Sequence, residues 1–325
     1  MSIPELPVFS YHHVPFSSIS TSKKWNLHPW KKQSYSDELK NSVLQTGVLH
    51  PPILQQTGNN IFDTVTGNAR IAVTREFLGK ETIACFILPD NLPIQSILKI
   101  ILTEQTCSGQ LSIAEKARFL EIAADNIPDR EIVSHFFPML ALPRYFNSIS
   151  KILDILSLGR EILTEIDKGN LQEKIVMELL NIRKKTDRQT LVSLFRMLGV
   201  GAGKQKKIII ALRDLSRRHR LSISDYLKND KITAILEHEE MNPPQKAHHL
   251  GLLLKKQLTP ASTKAEDEFK AFTTSLDLPK NFRLNHSPAF EKDSLTLTLL
   301  FQDKAECTKL IPEIKTVFSQ KAQSD

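Results

Sequence analysis

Apolar positions along this chain fall into short β-type runs up to about residue 88 and into helical periods for most of the remainder. Residues 48–54 are apolar and β-favouring, and they end in Gln55-Gln56-Thr57-Gly58-Asn59-Asn60, a cluster of turn formers. The strand pattern resumes over 61–65, which predicts a β-hairpin. Gly67-Asn68-Ala69-Arg70 then opens a helical run over 71–78 that Gly79 closes. Upstream, residues 1–34 hold scattered Pro, Ser and His with Trp25 and Trp30 and show no period, so irregular structure is expected there. Ser36-Asp37-Glu38 starts a helix with Leu39, Val43 and Leu44 on one face. Residues 82–88 form a further β-type run, and 94–102 are short and apolar enough to be a core helix.

Three short helices are predicted next. The first, 112–125, places Ile113, Ala117, Leu120 and Ala124 inward; the second, 129–136, does so with Ile132, Val133 and Phe136. The third starts at Pro143, a residue suited to a first helical position, with Phe146, Ile149, Leu153 and Leu156 inside. Arg144, Asn147, Ser148 and Lys151 are left on its outer face, where a recognition helix meets base edges. Such a face is also what any solvated helix shows. Thr186-Asp187-Arg188-Gln189 reads as a capping box for a helix carrying Leu191, Leu194, Phe195 and Leu198 and stopped by Gly199. A helix over 204–220 aligns Lys206, Arg213, Arg217 and Arg220 on one stripe, and another begins at Asn242-Pro243-Pro244. The tail changes character: 279–285 and the alternating 294–301 read as strands, and 303–319 as a helix.

Composition narrows the class. With 41% hydrophobic and 24% charged residues over 325 positions, the chain is an ordinary globular sequence long enough for two to four domains. It contains neither an apolar run of membrane-spanning length nor the basic and apolar regions of a signal peptide, so a cytoplasmic protein is expected. Cys85, Cys107 and Cys307 are widely spaced and read as buried free thiols, and the His12-His13 and His248-His249 pairs lack carboxylate or Cys at ligand spacing. No metal site is predicted. The net charge is +7, yet residues 183–220 alone carry twelve bases against Asp187 and Asp214, an excess of ten. That local field points to a polyanion, nucleic acid first.

The candidate chemistry begins at residue 67, where a glycine-bearing turn feeds the free amides of a helix N-terminus with an arginine beside them. Gly199-Val200-Gly201-Ala202-Gly203-Lys204 looks like a phosphate loop but fails the fingerprint: Leu198 stands where Gly is wanted, Gln205 follows the Lys, and the segment leaves a helix rather than a strand. It is read as a C-cap and linker.

Gly47-Val48-Leu49-His50-Pro51 followed by a hairpin and by Gly67-Asn68-Ala69-Arg70 resembles the ParB-like superfamily, whose N-terminal domain carries a G-[IV]-x-x-P segment, a hairpin and a Gly-x-x-Arg box opening a helix. A third box of that family is matched at Glu104, Leu111, Glu115 and Ala117, with Gln105 and Ser108 in place of an Asn and an Arg. Glu161, Ile166, Gly169 and Leu171 match the continuation of the central domain. The resemblance implies an α+β protein in four parts: a ParB-like domain over 1–103, a helix-turn-helix region over 104–158, a basic helical domain over 159–259, and a small β-β-α module over 260–325. It further implies a homodimer associated with the nucleoid, DNA bound through Arg144, Asn147, Ser148 and Lys151, a ParA-type ATPase partner, and CTP held near Gly67, Asn68, Arg70 and Glu104; the stripe of Lys206, Arg213, Arg217 and Arg220, a pattern that is usually just a solvated face, favours phosphate contact here because no acid lies among the four.

Departures from the family's boxes weaken the last expectation. Where the segregation-type box reads Gly-Glu-Arg-Arg, this chain has Gly67-Asn68-Ala69-Arg70, and the Pro-Arg before the first helix is replaced by Leu27-His28-Pro29-Trp30. A triphosphate needs several donors, and Arg70 with a few amides is a thin set, so weak or no CTP binding and no hydrolysis are expected. Two other readings follow from the same resemblance. One is an enzyme of the superfamily, nuclease-like with Asp63 and Glu104 as the nearest acids, or sulfiredoxin-like, which would need a Cys in the box; the other is a transcriptional regulator on the same scaffold.

Overall fold

Four strands organise the N-terminal part in the order β1-β4-β2-β3: β1 (Ser10–Pro15), β2 (Ile53–Gly58), β3 (Ile61–Thr66) and β4 (Thr82–Leu88). The structure, a computed structural model, describes residues 9–31, 35–107, 109–142, 147–278, 281–287 and 294–301, with Asp303, Lys304 and Thr308 beyond. It is a mixed α+β chain that divides into two compact units, residues 1–209 with 222–224, and 210–221 with 225–325.

In the first unit β4 runs antiparallel to β1 and parallel to β2, and β2 and β3 form the hairpin. Strand alternation puts Ile83, Cys85 and Ile87 on one face, where they meet Val14, Leu54 and Ile71. Burying side chains of this size contributes about 1.5–3 kcal/mol each. Burial also pushes the Cys85 thiol up to about 12, whereas Cys107 is exposed, contrary to the expectation that both thiols are buried; Cys307 lies outside the described residues.

Several boundaries move for local reasons. The hairpin strand begins at Ile53 rather than residue 48, because Pro51 and Pro52 lack the N–H a ladder needs. Residues 10–15, expected to be irregular, form edge strand β1; only Val14 of it is buried, so the sequence shows no alternation there. Helix α1 (Asp37–Thr46) is capped by Ser36, whose side chain accepts from Leu39 N–H, and buries Val43 but leaves Leu44 exposed. Helix α2 (Asn68–Phe77) starts directly after Gly67. Helix α3 (Ile94–Cys107) continues a turn past the expected end and buries Ile97, Leu98, Ile101 and Leu102.

Helix α4 (Ile113–Ala124) is held by a capping box between Ser112 and Glu115; its inward face is Ile113, Ala117, Leu120 and Ala123, with Ala124 exposed. A short turn, α5 (Asp129–Glu131), widens into a π-helical stretch at Ile132–Phe136, so Phe136 and Phe137 both face inward. Helix α6 (Asn147–Leu153) tightens into a 3-10 turn at Asp154–Leu158. The buried set is consequently Ile149, Ile152, Ile155 and Leu158, a three-residue period, instead of one containing Leu153 and Leu156. Pro143 and Phe146 lie outside the described residues.

Helices α7 (Arg160–Asp167), α8 (Glu173–Leu180) and α9 (Lys185–Leu198) follow, then α10 (Ala202–His219), of which the part to Ile209 belongs to the first unit. Thr186 lies inside the first turn of α9, and the N-cap is Lys184 with no side-chain hydrogen bond, so the capping box is not formed. Gly199 ends α9 in the left-handed region as expected. Helix α10 starts at Ala202, which makes Gly203 and Lys204 its first turn rather than a linker.

The second unit contains the rest of α10, α11 (Ile223–Tyr226), α12 (Asp230–Leu236), α13 (Pro243–Leu258) and α14 (Pro260–Ser275). Helix α13 begins at the expected Asn242-Pro243-Pro244 with a capping box to Gln245. Strands β5 (Phe282–His286) and β6 (Leu295–Leu299) pair antiparallel, as the two predicted tail strands. The expected helix over 303–319 falls almost wholly outside the described residues.

Candidate functional site

The three boxes, separated by up to 57 positions in the sequence, come together around Arg70. Gly67 adopts φ +88°, and a Cβ there would stand 2.9 Å from Pro52 Cβ, so the turn needs glycine for its conformation and for the approach of the first box. This geometry starts α2, and the Ile71 N–H bonds back to the Gly67 carbonyl, which leaves the amides of Asn68, Ala69 and Arg70 ahead of the first helical bond. The Arg70 guanidinium is taken up by acceptors of the protein itself. Its Nη1 donates to the His50 carbonyl at 2.6 Å and its Nη2 to Glu104 Oε1, joining the first and third boxes through the second. Both side chains of the ion pair are less than one-third exposed. Ser108, the remaining box position, lies outside the described residues.

A second cluster holds the segment that carries Trp25 and Trp30. Trp25, Leu27 and Trp30 are buried, the Arg118 Nε donates to the Asn26 carbonyl at 3.1 Å, and the Arg160 Nε donates to the Trp30 carbonyl at 2.5 Å. At the centre is Asp167, which accepts from the Trp30 indole N–H at 2.8 Å and from the Ser112 hydroxyl at 2.7 Å. Lys31 Nζ and His28 Nδ1 each stand 3.6 Å from its Oδ2, and His28 Nε2 is 3.3 Å from Glu115 Oε1. Burial pushes the Asp167 carboxyl up, but His28, Ser112, Trp30 and Lys31 outweigh it and hold it below the usual aspartate value. Among the described residues His28, Glu115 and Asp167 are the one trio of metal-type donors within 4.8 Å of each other. The imidazole, however, lies between the carboxylates, one facing each nitrogen, so the donors do not converge through a single His nitrogen. That arrangement suits an electrostatic hub better than a cation site. Sequence reading missed it because Trp30 and Asp167 are 137 positions apart. Asp63 and Glu104 belong to no such trio among the described residues.

Most of the residues expected at DNA belong to α6 and α10. Lys151 is exposed on α6. Asn147 and Ser148 open that helix, their side chains lying outside the described set, and Arg144 lies outside the described residues. On α10, Lys206 is half-exposed and stands 3.8 Å from Glu178 of α8, an acid that the helical wheel could not show. In the second unit Arg217 is exposed in the last turn of α10, and Arg220 is exposed just past its end at φ +57°. Arg213 is partly buried, with its Nε closed off from solvent, and so is not equivalent to the other members of the predicted stripe. No helix among the described residues is long and apolar enough to cross a membrane.

No protein-family model matches the chain, and no curated protein matches it. Among solved structures, the chain is similar to the C-terminally truncated chromosome-partitioning protein ParB from Caulobacter crescentus complexed with CTP-gamma-S, at 14% identity and a TM-score of 0.25, over 56% of this chain and 98% of that one. It is similar to the same Caulobacter protein complexed to the centromeric parS site, at 12% identity and a TM-score of 0.33, over 61% and 98%. A third similarity is to a Pnob8-like ParB-N domain, at 15% identity and a TM-score of 0.36, over 77% of this chain and 99% of that one.

Proposed function

We propose that this chain is a DNA-binding protein of ParB type, acting in partition of a chromosome or plasmid or in nucleoid organisation, in which the nucleotide site has become a structural joint. One observation carries the reading: Arg70, the arginine kept from the family's box, donates to His50 of the first box and to Glu104 of the third. The order of the boxes along the sequence supports the ParB reading, and the way Arg70 is used supports loss of the switch. A triphosphate entering here has to displace Glu104 and leave that partly buried carboxylate beside its own charge, which is unfavourable on both counts. The replaced Pro-Arg points the same way, because Trp30 serves as a buried anchor on Asp167 and supplies no cation.

DNA contact is assigned to two surfaces, each considered on its own unit. Lys151, exposed on α6, together with Arg144, Asn147 and Ser148 reads the sequence, and Arg217 with Arg220 contacts phosphates. The chain acts as a homodimer through its C-terminal tail, which carries β5 and β6, and works with a ParA-type ATPase. The test is a DNA-binding titration by fluorescence anisotropy over a range of salt. Replacing Lys151 with Ala should relax sequence preference, whereas the Arg217→Ala, Arg220→Ala pair should weaken binding to every sequence and reduce the salt slope by about two units. Calorimetric titration with CTP should give no binding heat. A double variant with unchanged salt slope overturns the phosphate assignment, and CTP binding abolished by Arg70→Ala overturns the loss of the switch.

A further inference from the structure

The sheet of the first unit treats its two edges differently. At the β3 edge the chain covers itself: Ile19 forms a bridge to Phe62, and the Ser20 N–H donates to the Phe62 carbonyl at 2.8 Å. At the other edge no described segment pairs with β1 on its outer side. The register decides which backbone groups this leaves over. The Phe16 N–H donates to the Glu81 carbonyl at 3.1 Å, and that pair continues the β1–β4 register, so hydrogen-bonded pairs recur at Val14–Ile83, His12–Cys85 and Ser10–Ile87. Phe86, opposite Tyr11, agrees with this, because its N–H donates away from β1 to the Pro52 carbonyl at 2.9 Å. The N–H and C=O groups of Tyr11 and His13 therefore point away from the sheet, and Pro15, which has no N–H to leave unpaired, takes the next outward position.

Exposed sheet edges are ordinarily blunted by charged side chains, by proline, by a bulge or by a covering segment. Residues 9–15 and 82–88 contain no Asp, Glu, Lys or Arg, the β1–β4 register is unbroken, and proline comes only at the last position of β1. The face beside this edge is aromatic. Tyr11 is 56% exposed and stands edge-on to Phe86 with ring centres 5.6 Å apart; Phe9, 36% exposed, lies 6.0 Å from Phe86, and His13 lies 6.1 Å from Tyr11. Strand alternation sends Ser10 and His12, both exposed, to the opposite face.

We propose that the β1 edge binds an extended peptide segment of a partner protein, uncharged in its central residues and apolar at alternate positions, which adds to the sheet beside β1. The edge recognises backbone: Tyr11 and His13 each offer an outward donor and acceptor, about 7 Å apart, which is the spacing of alternate residues in a strand. Side chains of the added strand that fall on the Tyr11 side meet rings, and those on the other side meet Ser10 and His12, so apolar and polar residues alternate in the segment that fits. A charged residue on the ring side loses water and finds no counter-charge on β1 or β4. A second copy of β1 is a poorer occupant. The antiparallel register that matches Tyr11 with His13 sets Phe9 against Pro15, which has no N–H to donate, and His12 against itself.

The experiment selects short peptides from a random displayed pool on the full chain, with the His13→Pro protein as the parallel target, and titrates a synthetic copy of the enriched sequence into the full chain by amide-resolved NMR. Proline at position 13 removes an outward donor that β4 does not use, and Tyr11→Lys puts a charge on the edge without changing the backbone. Hydrogen exchange at the His12 and Val14 amides, which bond to β4, reports whether each variant keeps the ladder. Enrichment of uncharged, alternating sequences on the native chain alone is expected, with saturable shifts at the Tyr11 and His13 amides and binding weakened at least about tenfold by either variant. The proposal is overturned if no sequence is enriched over the His13→Pro protein, if the enriched sequences are charged at their centre, or if a variant with its ladder intact binds the peptide as tightly as the native chain. It is also overturned if the Tyr11 and His13 amides are already protected in the free chain: protection independent of concentration makes a segment of this chain the occupant, and protection that rises with concentration makes it a second copy.

Discussion

Replacing Asp167 with Ala should release the segment that carries the chain's two tryptophans. The carboxylate is almost fully buried, since its side chain is 5% exposed, and it accepts the Trp30 indole and the Ser112 hydroxyl at 2.8 and 2.7 Å. A hydrogen bond to an ionised acceptor contributes about 1.5–3 kcal/mol, and removing this one strands two enclosed donors; after allowing for the recovered desolvation of the carboxylate, the loss should be about 3 kcal/mol. Trp25 and Trp30 are 2% and 6% exposed, so urea unfolding followed by tryptophan emission reports on this segment directly. The acid dependence has a defined sign. Because the folded carboxyl lies below its ordinary value, its contribution is present above the unfolded value and is lost as pH falls through the folded one. The native urea midpoint should therefore fall on acidification below about pH 4. Asp167→Asn should start lower at neutral pH and lack this part of the acid dependence. An Asp167→Ala protein with native emission and midpoint would refute the hub, as would an Asp167→Asn protein with the native acid slope.

Gly67→Ala forces both a positive φ and a 2.9 Å contact with Pro52, so it should destabilise the first unit by about 2 kcal/mol, read as a lowered thermal midpoint. Ending the chain after Leu278 removes β5 and β6 and should give a monomer by sedimentation while helical circular dichroism persists, because a two-stranded sheet with partly exposed leucines needs a covering partner. A truncated dimer would place self-association elsewhere.

What the sequence reveals here is mostly local. Gly67 and Gly199 announce their turns because left-handed backbone favours glycine, and Asn242-Pro243-Pro244 announces α13 because a side-chain cap and a proline act within one turn. Edge strand β1 is hidden because four of the first five of its residues are exposed and only Val14 is buried, which erases the period-2 signal. The face of α6 is misread because the helix tightens to a three-residue period at Asp154, a change that depends on packing. In the candidate site, the glycine and the arginine are legible as a box, yet their use is not: whether Arg70 faces a phosphate or Glu104 depends on where α3 ends and on the approach of His50. The partner of Lys206 on α8 and the Trp30 contact to Asp167 are likewise tertiary facts that no helical wheel contains.

Sequence-specific DNA binding without a nucleotide switch can be measured by selecting duplexes from a random pool with the purified full chain, with and without CTP, and sequencing what is retained. Enrichment of one sequence motif to the same extent in both conditions is expected. Retained duplexes indistinguishable from the input pool, or a motif enriched only when CTP is present, would contradict it.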